Sequence, residues 1–371
     1  MRKNLKKLIV VGLVSSLISI SCSDSGEDVM PQSVEKELSA KGVSNPEPGL
    51  IATRNLNLTF SKDFSFNIED AISESECGPT LFNEVIDQSV SSNLDQLGFD
   101  YYYDYVDFNF YYTITDESKQ YFGDKGQYTN LVKKITRNLE KFWNMPNEIE
   151  VRGQHNNTLN DPEKIIEILT FWYGYPQEVA EQYADFFINY VNLESTFLIE
   201  TPLISFDGFA ISLDGYLGQG DLIVIGDGLV ELASEAGVDA KVVWNGILAH
   251  EWAHQIQTNN RSEWYPNGAA DNVPEATRTT ELEADFIAAY YLTHKRGATY
   301  NLKRVQDFNE LFFNIGDCGF TSDGHHGTPL QRAEAANQGY LLAKNTFPKG
   351  KILSVNEVHE AFINSLATIV N

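Results

Sequence analysis

His250, Glu251 and His254 are the residues whose types and spacing say most about chemistry in this chain. They form His-Glu-x-x-His inside a largely apolar stretch, with Val242, Val243, Trp244, Ile247, Leu248 and Ile256 around them. On a helix, positions four apart share a face, so the two imidazoles stand side by side. That geometry suits two ligands of one tetrahedral zinc ion. Glu251 lies one step round the helix, near enough to reach a water on that ion without binding the ion itself. Zinc lowers the pKa of a bound water to about 7, so a neighbouring carboxylate can take its proton at neutral pH. The pattern points to zinc-assisted hydrolysis, with peptide bonds as the leading substrate.

The bland alternative is a surface helix carrying two histidines and an acid. The apolar surroundings argue against it, because a buried helix with these groups leaves them unsatisfied unless something binds them. A catalytic zinc usually keeps three protein ligands and one open position. The longer pattern His-Glu-x-x-His-x-x-Gly-x-x-His does not continue here, since Gln257 and Asn260 occupy its last two positions. The third ligand must come from elsewhere, and Thr279-Thr-Glu281-Leu-Glu283-Ala-Asp285 offers it on a second strong helix. Glu281 and Asp285 share a face, with Glu281 as zinc ligand and Asp285 holding the N–H of a ligating histidine. Glu283 points roughly the other way and is expected to matter little. Ala284, Ala288 and Ala289 suit close helix packing.

His-Glu-x-x-His followed by Glu-x-x-Ala-Asp resembles the gluzincin metallopeptidases. The resemblance covers about residues 215–345 and includes a late segment, His325-His326-Gly327-Thr328-Pro329-Leu-Gln-Arg332, similar to that of bacterial neutral zinc peptidases. It implies one zinc per chain on His250, His254 and Glu281, with Glu251 as general base and Asp285 orienting the first histidine. It also implies a substrate lying extended along an edge strand before the active-site helix, where Leu222-Ile-Val-Ile225 reads as a strand. Either His325 or His326, the latter preferred, can meet a developing oxyanion, and Arg332 can orient that loop by pairing with a carboxylate. Glu281 follows His254 by 281 − 254 = 27 positions, and Thr280 precedes it where the thermolysin-like branch has asparagine. Branch and substrate class stay open on these residues. His155, His294 and His359 have no comparable context, and His294 reads as surface.

The elements that must position these residues are mainly helical. The fold class expected is α+β: a mainly helical, zincin-like catalytic domain with a small sheet over 151–371, preceded by a smaller β-rich region over 50–150. Leu56, Leu58, Phe60, Phe64, Phe66 and Ile68 alternate, and Asp104 to Thr113 is aromatic and strand-like. Helices are expected from Thr129 onward: a stripe of Leu131, Ile135, Leu139 and Phe142, then starts at Asp161-Pro162 and Pro176, then Asn301–Asn314, a helix capped by Thr328, and Val355–Ile369.

The chain has 371 residues, with 27 basic and 52 acidic side chains and a formal charge of −25. Nucleic acid is excluded as an expected partner, because phosphate binding needs clustered positive charge. Arg2, Lys3, Lys6 and Lys7 precede a 13-residue apolar stretch, Leu8 to Ile20, that is too short to span a bilayer and reads as a signal-peptide core over 1–21. Ser21-Cys22 resembles a bacterial lipoprotein cleavage box, with Cys22 lipidated; an ordinary cleaved signal is the alternative. Residues 22–49 are polar and acidic with three prolines, and read as a disordered tether. Cys77 and Cys318 either pair or remain buried thiols. The reading is a zinc peptidase acting on peptide or protein substrates, tethered to the bacterial outer membrane by a lipid anchor and exposed at the surface. A surface binding lipoprotein with an inactive or structural zinc site is the rival reading.

Overall fold

Two helices carry the motif residues, and the stretches that hold them, 246–257 and 281–293, are buried throughout. The computed structural model describes residues 59–64, 80–213, 220–266, 272–314, 326–346 and 350–370, all within one unit, Leu56–Asn371. Cys22, the signal stretch, the tether, Cys77, Cys318 and His325 lie outside the described residues. The architecture is mainly helical with one small mixed sheet.

The sheet contains β1 (Thr59–Phe64), β2 (Ile149–Gln154), β3 (Gly208–Ser212) and β4 (Asp221–Gly226) in the order β1-β3-β4-β2. β2 and β4 run parallel, and the other pairs are antiparallel. Leu222, Ile223, Val224 and Ile225 are buried, as a strand covered on both faces requires. The strand expected at Leu222–Ile225 therefore exists as β4. It is an interior strand, because Ile223 pairs with Ala210 on one side and Val151 on the other. Its hydrogen-bonding edges are filled by the protein itself, so the edge-strand role implied for it does not hold.

The first helices are α1 (Leu81–Asn93), α2 (Gln96–Thr115) and α3 (Thr129–Trp143). α2 overturns the strand expected over Asp104–Thr113. Asp95 caps it by accepting from Gly98 N at 2.6 Å. Tyr101, Tyr105 and Phe108 recur at helical spacing and pack on Phe187 with ring centroids 5.3–5.8 Å apart. Aromatic residues favour strands only as far as they fit a pleated, half-buried surface, and here tertiary packing prefers the helical stripe. Among the described residues of 50–150, strand is confined to β1 and the start of β2. The α3 stripe forms as expected, with Ile135, Leu139 and Phe142 buried.

Beyond β2 come α4 (Pro162–Phe171), capped by Asp161, and α5 (Gln177–Phe186), which continues as a π-helical turn to Val191. After β4 the chain forms α6 (Asp227–Glu235), α7 (Ala240–Trp264), α8 (Val273–Thr293), α9 (Leu302–Asn314), α10 (Pro329–Thr346) and α11 (Val355–Ile369). Helix α7 is tied to the sheet by Gln255, whose Nε2 donates to Ile211 O at 3.0 Å and Leu222 O at 3.2 Å. Helices α8 and α10 approach so closely that a Cβ on Gly339 would stand 2.2 Å from Phe286 O and 2.9 Å from Ala289 Cβ. No helix among the described residues is long and apolar enough to cross a membrane.

Candidate metal centre

His250 and His254 project from one face of α7, their Nε2 atoms 3.0 Å apart and their rings inclined by 80°. Glu281 projects from α8 toward both, with Oε2 3.3 Å from His250 Nε2 and Oε1 3.4 Å from His254 Nε2. One ligand atom from each of the three residues lies within 4.8 Å of the others, and the group can hold a metal ion. His250, Glu251 and Glu281 are 0% exposed and His254 is 5% exposed.

The far side of each imidazole is held. Asp285 Oδ1, one turn beyond Glu281, lies 2.9 Å from His250 Nδ1. Asp285 is gripped in turn by buried Arg332 of α10, whose Nε and Nη2 donate at 2.7 and 2.8 Å. His254 Nδ1 faces Gln257 Oε1 at 2.7 Å. With each Nδ1 so held, the Nε2 of each imidazole is turned toward the Glu281 carboxylate. Arg332 Nη2 also approaches Glu281 Oε2, at 3.8 Å. Two imidazole nitrogens and a carboxylate brought together in a buried space are a donor set that fits a metal.

The electrostatics follow this geometry. Burial pushes the His250 imidazole down, but the facing Asp285 and Glu281 carboxylates win and raise it to about 9. Burial lowers His254 to about 4, helped by the adjacent His250. Burial opposes ionisation of Glu281, yet the two histidines and the nearby His326 hold it well below the ordinary carboxylate range. His326 is half-buried three residues before the first residue of α10. Gly327 beside it has φ +101°, and a Cβ there would meet Leu282 Cδ2 at 3.1 Å, so the loop closes onto α8. Thr328 caps α10, accepting from Gln331 N at 3.2 Å.

Three expectations need correction. Glu283 does point away from His250 and His254, but it is buried and bonded. It accepts from His359 Nδ1 at 2.6 Å, from Gln257 Nε2 at 3.1 Å and from the Tyr265 hydroxyl. Burial pushes its carboxyl above the ordinary value, against the pull of His359 and Gln257. In place of a solvated acidic face there is thus a buried carboxyl group that joins three side chains. His294 is not on the surface: it is buried at the end of α8, where Nδ1 accepts from Arg296 N and Nε2 faces Lys351 O. His155 has a context of its own, with Nδ1 2.7 Å from Asp227 Oδ2 and its ring stacked on Tyr121 at 3.8 Å.

Gln257 and Glu283 are the site residues that sequence reasoning missed. The available signal for Gln257 was its position three residues after His254 on the same helix, a spacing that lets side chains meet. Nothing local marks His359, which reaches Glu283 from α11. No family model, no curated protein and no solved structure matches this chain.

Proposed function

We propose that the protein is a zinc-dependent peptidase of gluzincin type, with His250, His254 and Glu281 holding one zinc ion and Glu251 as general base. The observation that carries this reading is the convergence of two imidazole nitrogens and a carboxylate, all buried, within 4.8 Å. Bound there, zinc would supply a Lewis acid for a peptide carbonyl and acidify a water. Glu251 takes the proton from the attacking water and returns it to the leaving amine, the work of a positioned carboxylate. His326 donates toward the developing oxyanion. Asp285 and Gln257 keep the two histidines turned with Nε2 inward. The lipid anchor at Cys22 and a surface location on the outer membrane belong to the same proposal.

The test is metal analysis with hydrolysis of an unfolded protein. Wild type should carry one zinc and cleave. Glu251→Gln should keep the metal and lose cleavage. The complete burial of Glu251 favours a second reading, a binding lipoprotein with a structural zinc site. Stoichiometric zinc with no hydrolysis by any preparation of the full chain would select that second reading.

A further inference from the structure

A continuous hydrogen-bonded chain leads from His254 to the last helix. His254 Nδ1 donates to Gln257 Oε1 at 2.7 Å. The orientation of the Gln257 amide is set by its other end, where Nε2 donates to Thr280 O at 2.8 Å and to Glu283 Oε2 at 3.1 Å. Were the amide reversed, its nitrogen would face His254 and its oxygen would face two acceptors. Glu283 Oε1 accepts from His359 Nδ1 at 2.6 Å. His359 lies flat on Trp264, the last residue of α7, with ring centroids 4.3 Å apart and planes 7° apart. The Trp264 indole donates to Asn356 Oδ1 at 2.9 Å, which fastens α11 to the same end of α7.

We infer that Glu283 and His359 are positioning residues for the metal centre, acting through Gln257 to fix the tautomer and ring orientation of His254. The inference rests on the metal-site reading above. The physical reason is direct. A ligating histidine needs its outer nitrogen held as a donor so that the inner one presents a lone pair. His250 has a carboxylate, Asp285, for that purpose. His254 Nδ1 faces a neutral amide, that of Gln257, which by itself can face either way round. The Glu283 carboxyl group, together with the Thr280 carbonyl, removes that freedom, because acceptor oxygens there bond the amide NH2 group and reject the carbonyl oxygen. His359 holds Glu283 in place from α11. The site is thus completed by an element 359 − 254 = 105 residues further along the chain.

The experiment is a double-mutant cycle on the full chain, reading the zinc dissociation constant by competition with a chromophoric chelator. Gln257→Ala should raise that constant about 10–100-fold, as loss of a partner to a ligating histidine does. His359→Ala should raise it about 3–10-fold, and the double variant should be no worse than Gln257→Ala alone, because the two act through one path. His359→Asn, which keeps a donor near the Nδ1 position, should restore most of the affinity. The visible spectrum of the cobalt-loaded chain should change in His359→Ala, since its bands report ligand geometry. Glu283→Gln gives a second variant of nearly unchanged volume, expected to weaken zinc binding by a similar factor. Effects that multiply in the double variant, or an unaltered zinc constant and cobalt spectrum in His359→Ala, would overturn the relay. Wild type binding zinc no better than His254→Ala would overturn the metal-site reading and the relay with it.

Discussion

Asp285 stands between His250 and Arg332, with Oδ1 2.9 Å from the histidine Nδ1 and both oxygens bonded by the guanidinium. One carboxylate thus orients a candidate ligand from α8 while locking α10 against it. Asp285→Ala should lower metal affinity about 10–100-fold. It also takes the bidentate carboxylate away from the fully buried Arg332, so the metal-free protein should lose about 3–5 kcal/mol. Chelator competition and urea unfolding measure the two effects separately. Full stability in the variant would show that Arg332 finds another partner.

His254→Ala and Glu281→Ala should each abolish stoichiometric metal binding, because each removes one of three ligands. Glu251→Gln should retain the metal and lose about 10²–10⁴-fold in turnover, the range a general base contributes. Metal content measured after dialysis separates these variants. Retention of a full equivalent of zinc by His254→Ala would remove it from the ligand set.

Metal affinity should fall as the medium is acidified from about pH 9. The metal-free His250 is raised to about 9, so below that value a proton must leave before the ion can bind. The expected slope is about tenfold per pH unit for one proton displaced. The stability of the metal-free chain carries the opposite signature for this group. Its folded value lies above the ordinary 6.5, so its contribution is complete below about 6.5 and is lost as pH rises through about 9. His254, held near 4, contributes above 6.5 and loses that contribution as pH falls toward 4. Chelator titrations and unfolding curves between pH 5 and 9 in about one-unit steps test both signs. A flat metal affinity over that range would contradict the protonated state assigned to His250.

His326→Ala should lower turnover by about 10²-fold with zinc content unchanged, the usual cost of one oxyanion donor. Steady-state kinetics beside metal analysis checks this. Unchanged turnover would reduce the His326-Gly327-Thr328 segment to a helix cap.

Gly339→Ala should destabilise the protein by about 1–3 kcal/mol, because its Cβ meets backbone at 2.2 Å and cannot be relieved by a side-chain rotation. Since α8 carries Glu281 and Asp285, the displaced helix should weaken metal binding as well. Thermal unfolding and chelator competition on the same preparation test the coupling.

The residue types and spacing along the chain were enough to name the cluster that can hold a metal. His250 and His254 share a face of α7, and Glu281 and Asp285 share a face of α8, because helical periodicity is a property of consecutive residues. The caps at Asp161 and Thr328 and the strand at Leu222–Ile225 were legible for the same local reason. Tertiary structure decided what local pattern cannot carry. The aromatic run of α2 has strand propensity and became a helix because Phe187 and its neighbours cover its stripe. β4 became an interior strand because β2 and β3 pair on either side of it. Glu283 faces away from the histidines, as its register requires, yet it is bonded through Gln257 to His254 and to a histidine 76 residues further along the chain. The partner of a buried polar group is set by whichever distant element packs over it, and no spacing within one helix encodes that choice.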